Sequence, residues 1–328
     1  MQKKVIIVGS GNAALSAGIA ALEKGAEVTI YEKADKKMAG GNTKYTAGAM
    51  RFAYESGDQL MDLLKDPNDK RIKDTDFGSY TQEKFEIDLL NFNDGRPLSD
   101  EQKILVSKSL ETIQWLSSHN VKFEPIYSRQ SFLKDGKHIF WGGLTLASEN
   151  EGVGLFDQEL DAFVSLGGKI FYESPVTNII HEGKRVKGIY IYQEKVNADS
   201  VILASGGFEA NDELRKSYIG ENWLKAKVRG TPHNTGDGLK MALEIGAVKH
   251  GLYNGCHATP MDLHMKNYGD LDLEPSERKN YRKICYFLGI MVKEYSIHIG
   301  LFENFEVQIK GNQFVSTSRI QEQLTPYM

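Results

Sequence analysis

A nearly continuous apolar run from Lys4 to Val8 leads directly into Gly9-Ser10-Gly11-Asn12-Ala13-Ala14, and this junction restricts the fold more than any other stretch. An apolar run without alternation is the pattern of a parallel strand buried on both faces. A helical stretch follows to Lys24, Gly25 stops it, and Ala26 to Tyr31 gives a second strand ending at Glu32, which together predict a βαβ unit. Within the GxGxxA pattern, Gly9 permits a tight turn and Gly11 lets backbone approach a pyrophosphate. Ala14 lets helix and strand pack closely, and Ala17, Gly18 and Ala21 continue that small face. Glu32 is placed to accept hydrogen bonds from ribose hydroxyls. Strand, helix and acid in this order predict a dinucleotide site, and the pattern alone does not choose between NAD and FAD.

Composition narrows the partners. With 40 Lys and Arg against 44 Asp and Glu, the net charge is −4, so no domain-wide basic field exists and no nucleic-acid partner is expected. The longest apolar runs, Val5 to Val8 and Ile284 to Val292, fall far short of the roughly 20 residues of a membrane span. The start, Met1-Gln2-Lys3-Lys4, imitates a charged leader, but its apolar core ends after Val8 at glycine, so a cytoplasmic protein is expected. Two cysteines, Cys256 and Cys285, cannot form a disulfide framework, an iron–sulfur cluster or a four-cysteine zinc site. The redox centre such a chain could hold alone is an organic cofactor. His250, His257 and His264 are evenly spaced, but Gly251, Gly255 and Pro260 break any helix that would align them, so no metal is expected.

Further along, the composition between Phe52 and Asp100 turns polar, with Asp66 to Lys70 as its clearest loop, and reads as an insertion lying over the sheet. Ser99 and Gln102 form a capping-box pattern for a helix ending near His119, with Val106, Leu110, Ile113 and Leu116 on its buried face. From Gly152 the pattern gives a helix to about Leu166, then strands at Lys169 to Tyr172, Val176 to His181 and Val186 to Tyr192. Ser200 to Ala204 is another buried strand, running into Ser205-Gly206-Gly207. Thr235-Gly236-Asp237-Gly238 opens a helix, and Asp237 either caps it or accepts from a cofactor hydroxyl.

Gly40-Gly41-Asn42-Thr43, followed by Lys44-Tyr45-Thr46-Ala47-Gly48-Ala49-Met50-Arg51, tips the choice of cofactor. Here the sequence resembles the flavoprotein subunits of the fumarate reductase and succinate dehydrogenase superfamily, most closely the tricarballylate dehydrogenase-like flavoproteins. The resemblance continues through Gly152 to Leu155, Ala204 to Phe208, Thr235 to Gly238 and Gly255 to Ala258, and covers residues 1 to about 292. It implies an α/β fold: a Rossmann-like FAD-binding domain of the glutathione-reductase type, a parallel sheet with a β-meander excursion, over residues 1–252 with a polar insertion at about 52–125. Residues 253–292 would begin an incomplete capping domain.

The resemblance implies cofactor contacts at Gly9, Gly11, Asn12, Ala13, Ala14, Glu32, Lys33, Gly40, Gly41, Asn42, Thr43, Thr46, Ala47, Gly48, Val176, Ala204, Ser205, Gly206, Gly207 and Asp237. Some relatives attach flavin through a histidine in the loop matching residues 42 to 46; the first histidine here is His119, so noncovalent FAD is expected. His257, in a Gly-Cys-His-Ala segment, is the candidate for a substrate carboxylate, or else a buried, satisfied histidine. Arg51 either faces the same carboxylates or forms a surface salt bridge. The implied reaction moves a hydride between flavin and a carbon adjacent to a carboxylate of a di- or tricarboxylic acid. Electrons would pass to or from a separate protein or carrier.

The resemblance stops after Gly289-Ile290-Met291-Val292. The family's arginine for proton transfer, in a segment reading roughly G-x-R-F-x-D-E-G, has no counterpart in Lys293 to Gly300, so no catalytic residue is assigned. Residues 293–328 are expected to be a divergent tail on a truncated flavoprotein. Two other readings stay open: a flavin-binding fragment without turnover, and a ketosteroid-dehydrogenase-like flavoenzyme.

Overall fold

The parallel sheet grows from the sequence features at the start of the chain. β1 (Lys4–Val8) pairs in parallel with β2 (Glu27–Tyr31) on one side and with Ser200–Leu203 on the other, and β2 pairs in parallel with Lys169–Phe171. Between β1 and β2 runs α1 (Asn12–Glu23), which ends before Gly25 at φ +79°, the left-handed conformation that suits glycine and stops a helix. The computed structural model describes residues 2–93, 95–251, 253–254, 257–261 and 266–272, with the strands 296–300, 307–310 and 313–316. Gly289 to Val292, where the resemblance ends, lie outside the described residues.

The described chain divides into two compact units. The first comprises Met1–Ala14, Gly25–Tyr45 and the chain from Lys169 onward; the second comprises Leu15–Lys24 and Thr46–Gly168. In the first unit a meander is present, but not with the expected three strands: Val176–Glu182, Arg185–Ile191 and Glu194–Asn197 form an antiparallel sheet, while Lys169–Phe171 joins the parallel sheet instead. Glu194–Asn197 carries mostly charged and polar residues, so no apolar pattern announced it. Ile6 and Val8 of β1 share a core with Val176, Ile179, Ile189 and Met241, so meander and parallel sheet bury one another. His257–Met261 is a strand, antiparallel to Ser296–Gly300, which also pairs with Lys227–Val228.

The stretch that reads as a polar insertion is built round a substantial core. Phe52, Tyr54, Leu60, Phe77, Tyr80, Phe85, Phe123 and Phe140 bury together with Val106, Ile113 and Leu116 of the helix Asp100–Ser118. The polar composition conceals this because the apolar residues are widely spaced and meet only after folding. Tyr54 is fully buried, and its hydroxyl donates to the Phe77 carbonyl (2.8 Å) and pairs with Thr145 Oγ1 (2.7 Å), which removes the cost of burying it. The capping box is as the sequence indicates: Gln102 N–H donates to Ser99 Oγ (3.2 Å) and Ser99 N–H to Gln102 Oε1 (3.0 Å).

Glu159, on the helix Glu151–Ser165, is fully buried and accepts from Ser16 Oγ at 2.9 Å. Desolvation outweighs that hydrogen bond and pushes its carboxyl up to about 8, so it is protonated at neutral pH. A carboxyl raised from 4.5 to about 8 on folding stabilises fully below pH 4.5, and that stability is lost as pH rises toward 8. At about 1.4 kcal/mol per pH unit the loss is on the order of a few kcal/mol. Glu159→Gln should therefore flatten the fall in Tm between pH 5 and pH 8, measured by thermal unfolding. An equally steep fall in the variant would show that Glu159 does not titrate in this way.

Candidate functional site

In the first unit, the fingerprint turn is held from two directions. Gly9 has φ +97°, and a Cβ there would lie 2.5 Å from the Ala204 carbonyl oxygen, so the close approach of β1's end to Ala204 requires glycine. Ala204 N–H in turn donates to the Val8 carbonyl (2.9 Å). At Gly11 a Cβ would stand 3.2 Å from Thr43 Oγ1 and 3.4 Å from the Gly40 carbonyl. Asn12 N–H, at the start of α1, donates to Thr43 Oγ1 (2.8 Å), which ties the Gly40–Thr43 loop to the helix N-terminus. The positive end of the helix dipole and the bare backbone at Gly11 suit a pyrophosphate.

Glu32 ends this network. It is buried, and its Oε2 accepts from Ser10 Oγ at 2.6 Å while its Oε1 accepts from Ala34 N–H at 2.8 Å. Ser10 Oγ accepts in turn from Gly40 N–H (2.9 Å). The sequence reading assigned Glu32 but passed over Ser10, whose signal was its place between the two fingerprint glycines.

In the same unit, Gly206 has φ +75°, and a Cβ would fall 2.7 Å from both amide atoms of Asn234. Asn42 Oδ1 accepts from Thr231 N–H (3.0 Å), and its amide nitrogen donates to Glu209 Oε1. Asn234 Nδ2 donates to the same oxygen at 2.7 Å. The loop at 40–43, the turn at 204–209 and the segment 230–234 therefore converge. Neither Glu209 nor Asn234 figured in the sequence reading, although Glu209 directly follows Gly206-Gly207-Phe208.

Other candidates sit differently from the sequence expectation. Asp237 does not cap its helix: the N-cap is Gly236, with no side-chain bond. Its carboxylate pairs with Lys33 Nζ (2.6 Å) and accepts from Thr235 Oγ1 (2.9 Å), and Lys33 also donates to Thr235 Oγ1 (2.7 Å), so Lys33 and Asp237 engage one another. A local capping signal cannot register a partner 204 positions away. Val176 turns its side chain into the core, which leaves only its backbone for a ligand. In the second unit, Gly48 N–H donates to Thr46 Oγ1 (3.1 Å), and a Cβ on Gly48 would lie 2.3 Å from Ser148 Oγ. Arg51, also in that unit, donates from Nη1 to the Tyr80 hydroxyl (2.7 Å) and pairs with Asp88 (3.1 Å). Burial, and then the bond to Asp88, push the Tyr80 hydroxyl up to about 12. His257 begins the strand His257–Met261. Among the described residues, no group of three or more His, Cys, Asp or Glu is arranged to hold a metal ion.

A model of the FAD binding domain family matches residues 4–254. The chain belongs to this family. FAD is accordingly its cofactor, and the glycine cradle beside the helix N-terminus fits a dinucleotide. Fumarate reductase (cytochrome) of Shewanella frigidimarina is 29% identical over 261 residues, covering 78% of this chain and 42% of that protein. NADH:acrylate oxidoreductase of Vibrio harveyi is 25% identical, covering 76% of this chain and 29% of that protein. These place the flavoprotein in the fumarate reductase and succinate dehydrogenase superfamily. Among solved structures, a flavocytochrome c3 fumarate reductase in its open conformation superposes with a TM-score of 0.60 at 24% identity, over 79% of this chain and 43% of that one. The 3-ketosteroid-delta4-(5alpha)-dehydrogenase of Rhodococcus jostii RHA1 shares the fold with a TM-score of 0.61 at 19% identity, over 79% of this chain and 56% of that one. The chain spans less than half the length of the two curated relatives. Among the described residues, no helix is long and apolar enough to cross a membrane.

Two glycines with similar backbone separate conformation from contact. Gly25, at φ +79°, has nothing within 4 Å of the place a Cβ would take, whereas at Gly9 a Cβ would meet backbone at 2.5 Å. Gly25→Ala should cost about 1 kcal/mol and keep FAD, while Gly9→Ala should abolish flavin retention through desalting, read at the flavin absorption bands. Equal retention by both variants would show that the Gly9–Ala204 contact does not shape the site.

Proposed function

We propose that this flavoprotein is part of an FAD-dependent oxidoreductase that acts on a carbon–carbon bond adjacent to a carboxylate of a di- or tricarboxylic acid. The observation that supports this most is the convergence of the fingerprint turn, the Gly40–Thr43 loop and the 204–209 turn, in a chain whose relatives are named for fumarate and acrylate. Bound FAD would supply the hydride chemistry. The chain's own residues would position it: Gly9 and Gly11 by bare backbone, Asn12 to Ala14 by the helix N-terminus, Glu32 by accepting from ribose once Ser10 or Ala34 yields an oxygen. Lys33, Gly40 to Thr43, Thr46 to Gly48, Val176, Ala204 to Gly207 and Asp237 complete the proposed cofactor set.

His257 and Arg51 are the proposed holders of substrate carboxylates. Arg51 already binds a carboxylate, that of Asp88, through a partly exposed pair. Such pairs contribute only about 0–1 kcal/mol, so replacing Asp88 by a substrate carboxylate costs little. We also propose noncovalent attachment, a cytoplasmic location, and electron exchange with a separate protein or carrier. A second reading rests on the relatives named digoxin reductase, 30% identical, and vinyl phenol reductase, 23% identical: the substrate would then be an alkene without a free carboxylate.

The test is the visible spectrum of the purified chain after incubation with FAD and desalting. Bound flavin, bleached by dithionite without oxygen and restored by fumarate or a tricarboxylic homologue, is the expected result. Reoxidation by vinyl phenols or enones alone would favour the second reading, and retained flavin that no acceptor reoxidises would indicate binding without turnover. Acid precipitation should leave all of the flavin in the supernatant; flavin in the pellet would contradict noncovalent attachment.

A further inference from the structure

Glu209 carries a feature that the fold alone does not require. Its carboxylate is buried, with 3% of the residue exposed. Oε1 accepts from both Asn42 and Asn234, whereas Oε2 is buried and has no hydrogen-bond partner among the described residues. The charge is therefore half satisfied, in a place where burying an unpaired acceptor is costly. The two asparagines are themselves fixed. Asn42 Oδ1 is held by Thr231 N–H, and a Cβ at Gly230 would stand 2.2 Å from it; the Asn234 amide lies against Gly206, and the Asn234 backbone carbonyl accepts from Ala210 N–H (2.9 Å). Each amide nitrogen is committed to Oε1 and would give up that bond to serve Oε2.

We propose that Glu209 is a cofactor-positioning residue whose Oε2 is held ready for a hydroxyl or N–H donor of the bound dinucleotide. This rests on the FAD reading of the site. Oε1 joins the Gly40–Thr43 loop to the segment 230–234, while Oε2 is the acceptor that the ligand completes. The residue type suits the task, because a carboxylate accepts at both oxygens and donates at neither, so it can hold two amides and still receive a third donor.

The test compares the full chain with Glu209→Gln and Glu209→Asp, measuring FAD dissociation constants by fluorescence titration and Tm without flavin. In the Gln variant the amide oxygen can keep both asparagines while the other position becomes a donor, so the flavin-free Tm should stay within about 2 °C and FAD should bind at least about tenfold more weakly. Glu209→Asp keeps the charge but withdraws it by one methylene, and should weaken FAD in the same direction. It also decides the matter if the Gln variant does not fold. The inference is overturned if either folded variant binds FAD as tightly as the parent, or if affinity falls only in proportion to Tm. A parent chain that binds no FAD would overturn the cofactor reading and this inference together.

Discussion

A buried carboxylate must find donors, and Glu32 finds them in the segments that form the dinucleotide site. Ser10 Oγ and Ala34 N–H occupy its two oxygens, and Ser10 relays the interaction to Gly40 N–H. One carboxylate at the end of β2 thus fixes the residue between the fingerprint glycines and the first residue of the Gly40–Thr43 loop. The Asn12 bond to Thr43 then sets the other end of that loop against α1. Because the sheet fixes β1 beside β2, the positions of turn and loop follow from pairing register and one satisfied charge. A ribose hydroxyl approaching Glu32 would replace an internal donor with a ligand donor, an exchange between hydrogen bonds of similar kind whose net cost is small.

The features legible in the sequence were the local ones. Gly9 to Ala14 with Glu32, Gly25 as a helix stop, and Ser99 with Gln102 each depend on residues close in the chain or on a spacing that the βαβ unit fixes. The parallel sheet and the meander followed from runs of apolar residues, except for Glu194–Asn197, whose lysine and glutamate give no such run. What could not be read was set by distant partners. Asn42 meets Glu209 across 167 positions, and Lys33 meets Asp237 across 204, so neither the second role of the Asn42 loop nor the loss of the Asp237 cap had a local signal. The core around Phe52, Tyr54, Phe77 and Phe140 was missed for a related reason: scattered aromatics in a charged stretch form a core only when several strands and helices bring them together.

Arg51 and His257 show how family resemblance and geometry differ in reach. Resemblance aligned His257 with carboxylate recognition, and the sequence left Arg51 between that role and a surface salt bridge; the structure gives Arg51 a salt bridge to Asp88 and an aromatic neighbour, the Tyr80 ring 5.2 Å from its guanidinium carbon. A guanidinium is planar whatever it binds, and here Nη1 meets the Asp88 carboxylate at 3.1 Å. The pair is partly exposed and contributes little to stability.

Buried acids in this chain are accommodated by different means, and the contrast bears on Glu209. Glu32 has a donor for each oxygen. Glu159 has Ser16 as a donor, and desolvation keeps its carboxyl protonated, which removes the charge from the interior. Glu209 has two donors on one oxygen and none on the other among the described residues. The remaining oxygen then calls for a donor from outside the folded chain, and two of the segments that meet at Glu209, 40–43 and 204–209, also border the fingerprint turn.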